Sequence, residues 1–325
     1  MTRRRVMLGL VALVCLGAVL AFPMLASKFQ LQLVARIMIT AIFAMSLQLL
    51  VGSTGLVSLG HAAFYGIGAY ALFLTSPAYG AASLWLSLPA ALAAAAVAAL
   101  IIGLLVLRSS GVYFIMVTLA FAQMFFYYVT GARWLGGSDG AYVYGRPEAA
   151  ILGLAPVNLG DDRQFFLVVA ALMVATYLLL RIIGRAPFGH AVQGIRVNEA
   201  RMRSLGFPTF RYKLASFVIA GTLAGLAGYL GAAQFGVVTP DLFGWRQSGL
   251  VLMMVILGGA GRLYGAILGA FALVLLQEFL ADLTRHWLLP MGLFVILAVL
   301  LLPEGLSGLR RRRPALRRKR EPDLA

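Results

Sequence analysis

The sequence predicts an all-α fold, a polytopic integral membrane protein with about ten transmembrane helices (8–10). Three observations predict it. Of the 325 residues, 62% are hydrophobic and only 12% are charged, about half the charged share of a soluble domain. The apolar residues form runs near the ~20 residues that a helix needs to cross a bilayer. The positive charges gather beside those runs. A soluble fold could not cover so much apolar surface.

Ten apolar runs are candidate spans. They cover 6–26, 33–51, 57–75, 84–107, 111–131, 164–183, 213–235, 247–258, 262–283 and 287–303. The eighth is too short to cross a bilayer alone. The first could instead be a secretory signal, because basic residues precede its apolar core and the small residues Ala26 and Ser27 follow it. We favour a retained helix, since the apolar stretch is long for a signal core.

Three basic clusters predict the orientation. Arg3–Arg5, Arg185–Lys213 and Arg310–Arg320 hold 17 of the 27 Lys and Arg residues. If the first cluster is cytoplasmic, an even number of spans places the other two in the cytoplasm as well, which is the positive-inside pattern. Both termini are therefore predicted to be cytoplasmic. The net charge of +16 is explained by anionic membrane lipid, and nucleic acid is not expected as a partner.

Two glycine-rich segments predict an inverted repeat. Gly52–Tyr70 and Gly258–Phe271 share a Gly-x-x-Gly pattern followed by further glycines. An offset of five helices would place the second copy upside down, as in many transporters. Similar composition alone is the alternative explanation. The stretch Gly52–Gly60 also contains Ser53 and Ser58, so it makes a poor continuous helix. Such an interruption fits either a transport pathway or a packed kink.

No constellation for enzyme chemistry is present. The sequence contains neither a Gly-rich phosphate loop ending in Lys-Ser/Thr nor a His-Glu-x-x-His zinc motif. Cys15 is the only cysteine, so no disulfide can form within the chain. His61 is the one histidine inside an apolar span, where it could gate a path or, as a neutral ring, donate a hydrogen bond to a helix carbonyl. The chain is predicted to be a transport subunit, with no cofactor or metal of its own.

The basic segment 185–213 predicts a short amphipathic helix. Pro187 and Gly189 end the preceding helix, and residues 190–205 have helical composition. Ile195, Met202 and Leu205 could share one face of that helix. It could rest on lipid headgroups, or it could dock into the groove of a soluble partner.

Five sequence blocks together resemble a known family. They are GLVSLGHAAFYGIGAY within Gly52–Tyr70, GVYFIMVTLAFAQM at Gly111–Met124, LGGSDG at Leu135–Gly140, APFGHAVQGIRVNEARMRSLG at Ala186–Gly206 and SGLVLMMVILGGAGRLYGAILGA at Ser248–Ala270. Their order is similar to that in LivM-type permease subunits of bacterial branched-chain amino acid ABC importers. The resemblance covers most of the chain, and the basic stretch Arg310–Arg320 departs from it. The implied organisation is an N-terminal transmembrane helix (1–32), a permease domain (33–309) and a basic cytoplasmic tail (310–325).

The resemblance implies a function and a set of partners. Such a permease would lie in the bacterial inner membrane with a LivH-type second permease, two cytoplasmic ABC ATPases that bind ATP-Mg, and a periplasmic substrate-binding protein. Segment 185–213 would be the loop that couples the permease to the ATPases. The residues implied to carry this coupling are Arg196, Asn198, Glu199, Arg201, Leu205 and Gly206.

Polar residues within the family-like apolar blocks are the candidates for a translocation path. They are Ser58, His61, Tyr113, Thr118 and Gln123. If the binding protein provides the selectivity, this path needs no tight site. The same machinery could carry urea, short amides or aromatic acids in place of branched-chain amino acids. An ion-coupled secondary transporter is a further alternative, but it would require buried carboxylates, and the spans offer few.

Overall fold

The computed structural model describes residues 22–24, 26–77, 80–148, 159–302 and 305–311. Most of the predicted first helix, Cys15, the cluster Arg3–Arg5 and the tail beyond residue 311 lie outside the described residues. The described chain is helical almost throughout. Its helices are α1 Lys28–Gln48, α2 His61–Thr75, α3 Leu84–Val106, α4 Val112–Gly131, α5 Asp162–Arg185, α6 Pro187–Val197, α7 Glu199–Ser204, α8 Thr209–Phe235, α9 Trp245–Gly258, α10 Leu263–Leu283 and α11 Leu288–Leu301.

The helices confirm an all-α membrane fold and correct one predicted span. Within the described residues, seven helices are long and apolar enough to cross a membrane. The span expected at 57–75 begins as a helix only at His61 and has 15 residues. Such a helix is about 22 Å long, which is short of the ~30 Å hydrocarbon core. Helix α9, with 14 residues, is short as the sequence predicts.

The molecule has two ends with different structures. The loop end carries α6 and α7, and here Arg196 of α6 donates a hydrogen bond to the carbonyl of Gly52. The opposite end carries the strands β1 Ala141–Tyr142 and β2 Val237–Val238, which pair antiparallel. Helix α8 ends at this opposite end, next to β2. Helix α1 begins there as well, since Gln234 Nε2 near the end of α8 donates to the carbonyl of Gln32 near the start of α1 over 2.6 Å. Helices α1 and α8 therefore run in opposite directions.

Each of these long helices is followed by an irregular segment and then by a short helix that begins in the interior. After α1, a π-helix (Leu49–Thr54) and residues 55–60 return the chain to α2. After α8, β2 and a 3₁₀ turn (Pro240–Phe243) return it to α9. The two short helices meet at their beginnings, where the buried N–H of Ala62 donates to Ser248 Oγ over 2.9 Å.

The two glycine-rich segments that predicted a repeat lie at different positions in these units. Gly52–Tyr70 includes the end of the α1 unit and most of α2, whereas Gly258–Phe271 forms the connection between α9 and α10. In that connection the backbones of Gly258 and Gly265 approach closely. The likeness between the two segments therefore reflects a shared need for close helix packing and does not mark equivalent parts of two repeats.

Helix α8 packs through its glycines against α2 and α3. A Cβ at Gly225 would overlap the methyl group of Ala95, and one at Gly228 would overlap the carbonyl oxygen of Tyr65. A buried hydrogen bond of 2.7 Å joins the hydroxyls of Ser87 on α3 and Tyr229 on α8. Small residues let the backbones of membrane helices approach closely and gain dispersion contacts. They hold α2, α3 and α8 together as one unit.

Gly228→Ala should separate α2 from α8, because the added methyl group would overlap a backbone oxygen that cannot rotate away. Overpacking of this kind costs about 1–3 kcal/mol, so the melting temperature of the detergent-solubilised protein should fall by roughly 3 °C or more. Gly292→Ala on α11 is the control, since no atom of the described residues lies within 4 Å of a Cβ built there. Equal melting temperatures for the two variants would contradict this packing.

Candidate functional site

The loop between α5 and α8 is built from two helices rather than the single one expected over 190–205. Helix α6 begins at Pro187, whose fixed φ suits the first position of a helix. Asn198 then adopts an extended conformation and ends α6. Its side-chain Oδ1 accepts the N–H of Arg201 over 2.9 Å and so caps α7. Gly206, with a φ of +86°, turns the chain from α7 towards α8.

Glu199 connects α7 to the first turns of α8. Its Oε1 accepts hydrogen bonds from Arg203 Nη2 at 2.8 Å and from Thr209 Oγ1 at 3.1 Å. Its Oε2 forms an ion pair with Lys213, whose side chain is only 14% exposed. Glu199 is therefore occupied within the chain, and its first role is to fix the position of α7.

These contacts determine the protonation of Glu199. Partial burial alone would raise the pKa of the carboxyl group, but the hydrogen bonds from Arg203 and Lys213 outweigh it and lower the pKa from 4.5 to about 2. The group is ionised throughout the physiological range. Its contribution to loop stability is complete above about pH 4.5 and is lost as the pH falls towards 2.

The apolar residues of the loop do not share one face as the sequence suggested. Ile195 is buried in the protein, and Met202 packs against Gly194 of α6. Leu205 instead points outward and is 65% exposed, and Val197 is 85% exposed. The break at Asn198 changes the direction of the chain between Ile195 and Met202, and Leu205 lies at the C-terminal end of α7. Together with the exposed Arg201, Val197 and Leu205 form an outward surface that is apolar and positively charged.

Helix α6 also contacts the end of the α1 unit. Arg196 donates to the carbonyl of Gly52 within the π-helix, and its side chain passes within 3.1 Å of the position that a Cβ of Gly55 would occupy. Gly55 has a φ of +75°, which other residues rarely adopt. A movement of α6 would therefore act directly on the segment where the helix is interrupted.

Behind that segment, the predicted path residues Ser58, His61 and Thr118 lie close together around Gly60. Ser58 Oγ accepts the N–H of Gly60 over 3.2 Å. Gly60 itself packs against the carbonyl oxygen of Thr118. All three path residues are buried, and the Thr118 hydroxyl donates to the carbonyl of Ile115 in its own helix. This cluster is named here the Gly60 junction.

His61 is bonded to a serine that the sequence analysis did not identify. Ser46 Oγ donates to the carbonyl of Phe43 over 2.7 Å, so it accepts from His61 Nε2, which lies 2.8 Å away. In this arrangement Nε2 carries a proton. The ring donates to a hydroxyl and not to the expected helix carbonyl, while its buried Nδ1 has no partner among the described residues. The available signal was Ser46 itself, a polar residue in an apolar run.

The two other predicted path residues lie away from this junction. Tyr113 stands at the beginning of α4 and is 78% exposed. Gln123 lies farther along α4, and its buried Nε2 has no hydrogen-bond partner among the described residues. Ser58, His61 and Thr118 are therefore brought together, whereas Tyr113 and Gln123 are not. A role for any of the five in translocation stays a prediction.

The fold and this junction define a multi-pass helical membrane protein whose interrupted helices meet in its interior. The chain belongs to the family described as "Branched-chain amino acid transport system / permease component", whose model matches residues 29–302. Membership makes it a transport component and not an enzyme. No solved structure matches the chain significantly.

Three relatives with known names are similar to the chain. The chain is 33% identical to "High-affinity branched-chain amino acid transport system permease protein LivM" of Escherichia coli (strain K12), over 94% of this chain and 75% of the relative. The Salmonella typhimurium protein of that name is 33% identical over 90% and 73%. "Autoinducer 2 import system permease protein LsrC" of Klebsiella pneumoniae is 32% identical over 59% and 54%.

Glu199→Gln should loosen α7 at neutral pH, because it removes the charge that holds Lys213 and Arg203. At pH 7, amide hydrogen exchange in residues 198–206 should become roughly tenfold faster. An interaction equivalent to one pKa unit changes the equilibrium between the closed and open loop by this factor. At pH 2, where about half of the Glu199 side chains are protonated, most of the difference from the unaltered protein should be lost, after correction for intrinsic exchange rates. Asp282→Asn on α10 serves as a control that leaves this loop unchanged. A difference that persisted undiminished at pH 2 would contradict the charge-based account.

Proposed function

We propose that this chain is the membrane-spanning permease subunit of an ATP-driven importer for branched-chain amino acids. The observation that carries the proposal is its identity to two LivM permease proteins over nine-tenths or more of its own length. The energy would come from two partner ATPases in the cytoplasm, a LivH-type permease would complete the membrane part, and a periplasmic binding protein would deliver the cargo. The assembly would lie in the bacterial inner membrane.

The loop end is assigned to the cytoplasm. Segment 185–213 belongs to this end and is rich in Arg and Lys, and positive charge favours the cytoplasmic side. The end bearing β1 and β2 would then face the periplasm. Both termini would be cytoplasmic if a further helix precedes α1. The opposite directions of the α1–α2 and α8–α9 units support an inverted repeat.

Helices α6 and α7 are assigned as the coupling loop. Their outward surface (Val197, Arg201 and Leu205) offers apolar and charged contacts to a soluble partner, while Glu199 holds the loop firmly on α8. Arg196 would transmit a displacement of α6 to Gly52 and so to the interrupted end of α1. In this way the closure of two ATPases would change access to the path.

A second cargo has a specific observation in its favour. One relative is named an autoinducer 2 import permease, although it covers only 59% of this chain. The family fold is therefore associated with more than one solute. A transport assay distinguishes the cargoes when the complete importer is reconstituted in proteoliposomes and offered radiolabelled amino acids, urea and autoinducer 2. ATP-dependent uptake of leucine, isoleucine and valine is expected. Uptake that continues with inactivated ATPases would instead indicate an ion-coupled transporter.

Glu199→Ala and Gly206→Pro should each abolish amino acid uptake while the protein still inserts into the membrane. The first releases α7 from Lys213, and the second forces a φ of about −65° on a residue at +86°. Uptake and ATPase activity of the reconstituted complex measure the effect, and ATP hydrolysis should become independent of the binding protein. Asp282→Ala is the matched carboxylate control and should retain full uptake. Undiminished uptake in both loop variants would refute the coupling assignment.

Thr118→Ala should change the rate of uptake more than its selectivity. The hydroxyl bonds within its own helix, and the Cβ and backbone carbonyl of Thr118 pack beside Gly60, so the substitution alters the packing of the junction. We expect the uptake rate to change by about fivefold, because a single neutral hydrogen bond contributes ~1 kcal/mol. The ratio among leucine, isoleucine and valine should stay constant in a competition assay. A large change in that ratio would contradict a permissive path at this point.

A further inference from the structure

A cavity of about 200 Å³ lies between α1, α2, α8, α9 and α10, towards the end that carries β1 and β2. It is separate from the coupling loop, and none of the five predicted path residues lines it. Its polar wall is unusual for a membrane domain because it holds one cation and three amides. The polar lining residues are Arg36, Thr40, Tyr65, Gln234, Gln247 and Gln277.

The other wall of the cavity is apolar. It is formed by aliphatic and aromatic side chains from α1, α9 and α10, namely Ile39, Phe43, Leu250, Val251, Met254 and Val274. The volume lies below the ~300–1,000 Å³ that is usual for drug-sized ligands. The cavity therefore suits a small solute with one polar end and one compact apolar end.

Arg36 can offer hydrogen bonds to an anionic group in this cavity. Its guanidinium lies 3.5 Å from the carboxylate of Glu278 on α10, and the two side chains are 33% and 30% exposed. A guanidinium has five N–H donors, and this ion pair is the one contact to an acid that Arg36 makes among the described residues. The remaining donors fit a carboxylate, which arginine binds in bidentate geometry.

Gln234 offers the complementary acceptor. Its Nε2 donates to the carbonyl of Gln32 over 2.6 Å, and this bond fixes the orientation of the amide. The Oε1 atom is buried and has no hydrogen-bond partner among the described residues. Burial of an acceptor without a hydrogen-bond partner is unfavourable. An ammonium group brought into the cavity would supply the missing donor.

We propose that this cavity binds a zwitterionic aliphatic α-amino acid within this single subunit. The carboxylate lies on Arg36, the ammonium group donates to Gln234 Oε1, and the side chain packs against Val251 and Val274. The inference rests on the proposed function for its cargo. It adds a site on the periplasmic side where the solute is held before it passes the Gly60 junction. Urea lacks both the charges and the apolar part that this cavity matches.

Charge substitutions separate a ligand contact from a structural ion pair. The reconstituted importer, without its binding protein, is titrated with radiolabelled leucine for the unaltered chain, Arg36→Gln, Glu278→Gln and the double variant. Arg36→Gln is expected to weaken leucine binding tenfold or more. The double variant should remain as weak, because the carboxylate of leucine still lacks its partner. Recovery in the double variant would show that Arg36 serves only to balance Glu278, and it would overturn the proposal.

A thiol placed in the cavity gives a second readout that does not depend on removing a charge. In a Cys15→Ser background, Thr40→Cys should react with a small methanethiosulfonate reagent, and saturating leucine should slow the reaction at least threefold. Val274→Cys replaces it if Thr40→Cys fails to assemble. Leu293→Cys, exposed on α11 and outside the cavity, should react at a rate that leucine does not change.

The outcomes distinguish this inference from the proposed function. If the importer takes up leucine but leucine protects neither cavity thiol, the cavity assignment is wrong and the permease function stands. If the importer carries no amino acid and leucine does not bind, the proposed function fails together with the cavity assignment. Equal protection of Leu293→Cys would indicate a general conformational change and would also overturn the assignment.

Discussion

The fold depends on one hydrogen bond between two interrupted helices, from the N–H of Ala62 to Ser248 Oγ. Lipid cannot satisfy a backbone group that leaves a helix, so each interruption needs partners from the protein. Thr54 and Ser58 accept the N–H groups of Leu56 and Gly60 on one side. Ser248 joins that side to the other. Irregular backbone can therefore exist deep inside this molecule, where transport requires an adjustable path.

Hydropathy predicted most helices but could not locate their interruptions. The apolar runs at 84–107 and 262–283 match α3 and α10 closely, because their ends are marked by a change of composition. The start of α2 at His61 could not be predicted, since it depends on contacts with Thr118 and Ser248, far away in the sequence. The division of the loop at Asn198 was missed for a different reason. Asparagine fits a polar helix surface as well as a cap, and only the conformation distinguishes the two.

The sequence predicted the parts of the candidate site that depend on neighbouring residues in the chain. It did not predict the parts that depend on contacts between distant residues. His61 stood out as the one histidine in an apolar span, yet its partner Ser46 is defined only by the return of the chain after the π-helix. Arg36 and Gln234 were not identified from the sequence, because one polar residue changes the mean hydropathy of a long apolar run very little. Their importance comes from a shared cavity, to which five separate helices contribute. Local patterns thus identified the loop, and tertiary contacts were needed for the interior.

The glycine contacts of α8 have a consequence for how this family can change over evolutionary time. Where a glycine faces a side chain, as Gly225 faces Ala95, a larger residue on one helix could be accommodated by a smaller one on the other. Where the obstacle is a peptide carbonyl, as at Gly228 against Tyr65, no second substitution can remove it. The first kind of position can drift in compensated pairs. The second kind can change only if the helices themselves move apart, so it should remain glycine in every descendant that keeps this packing.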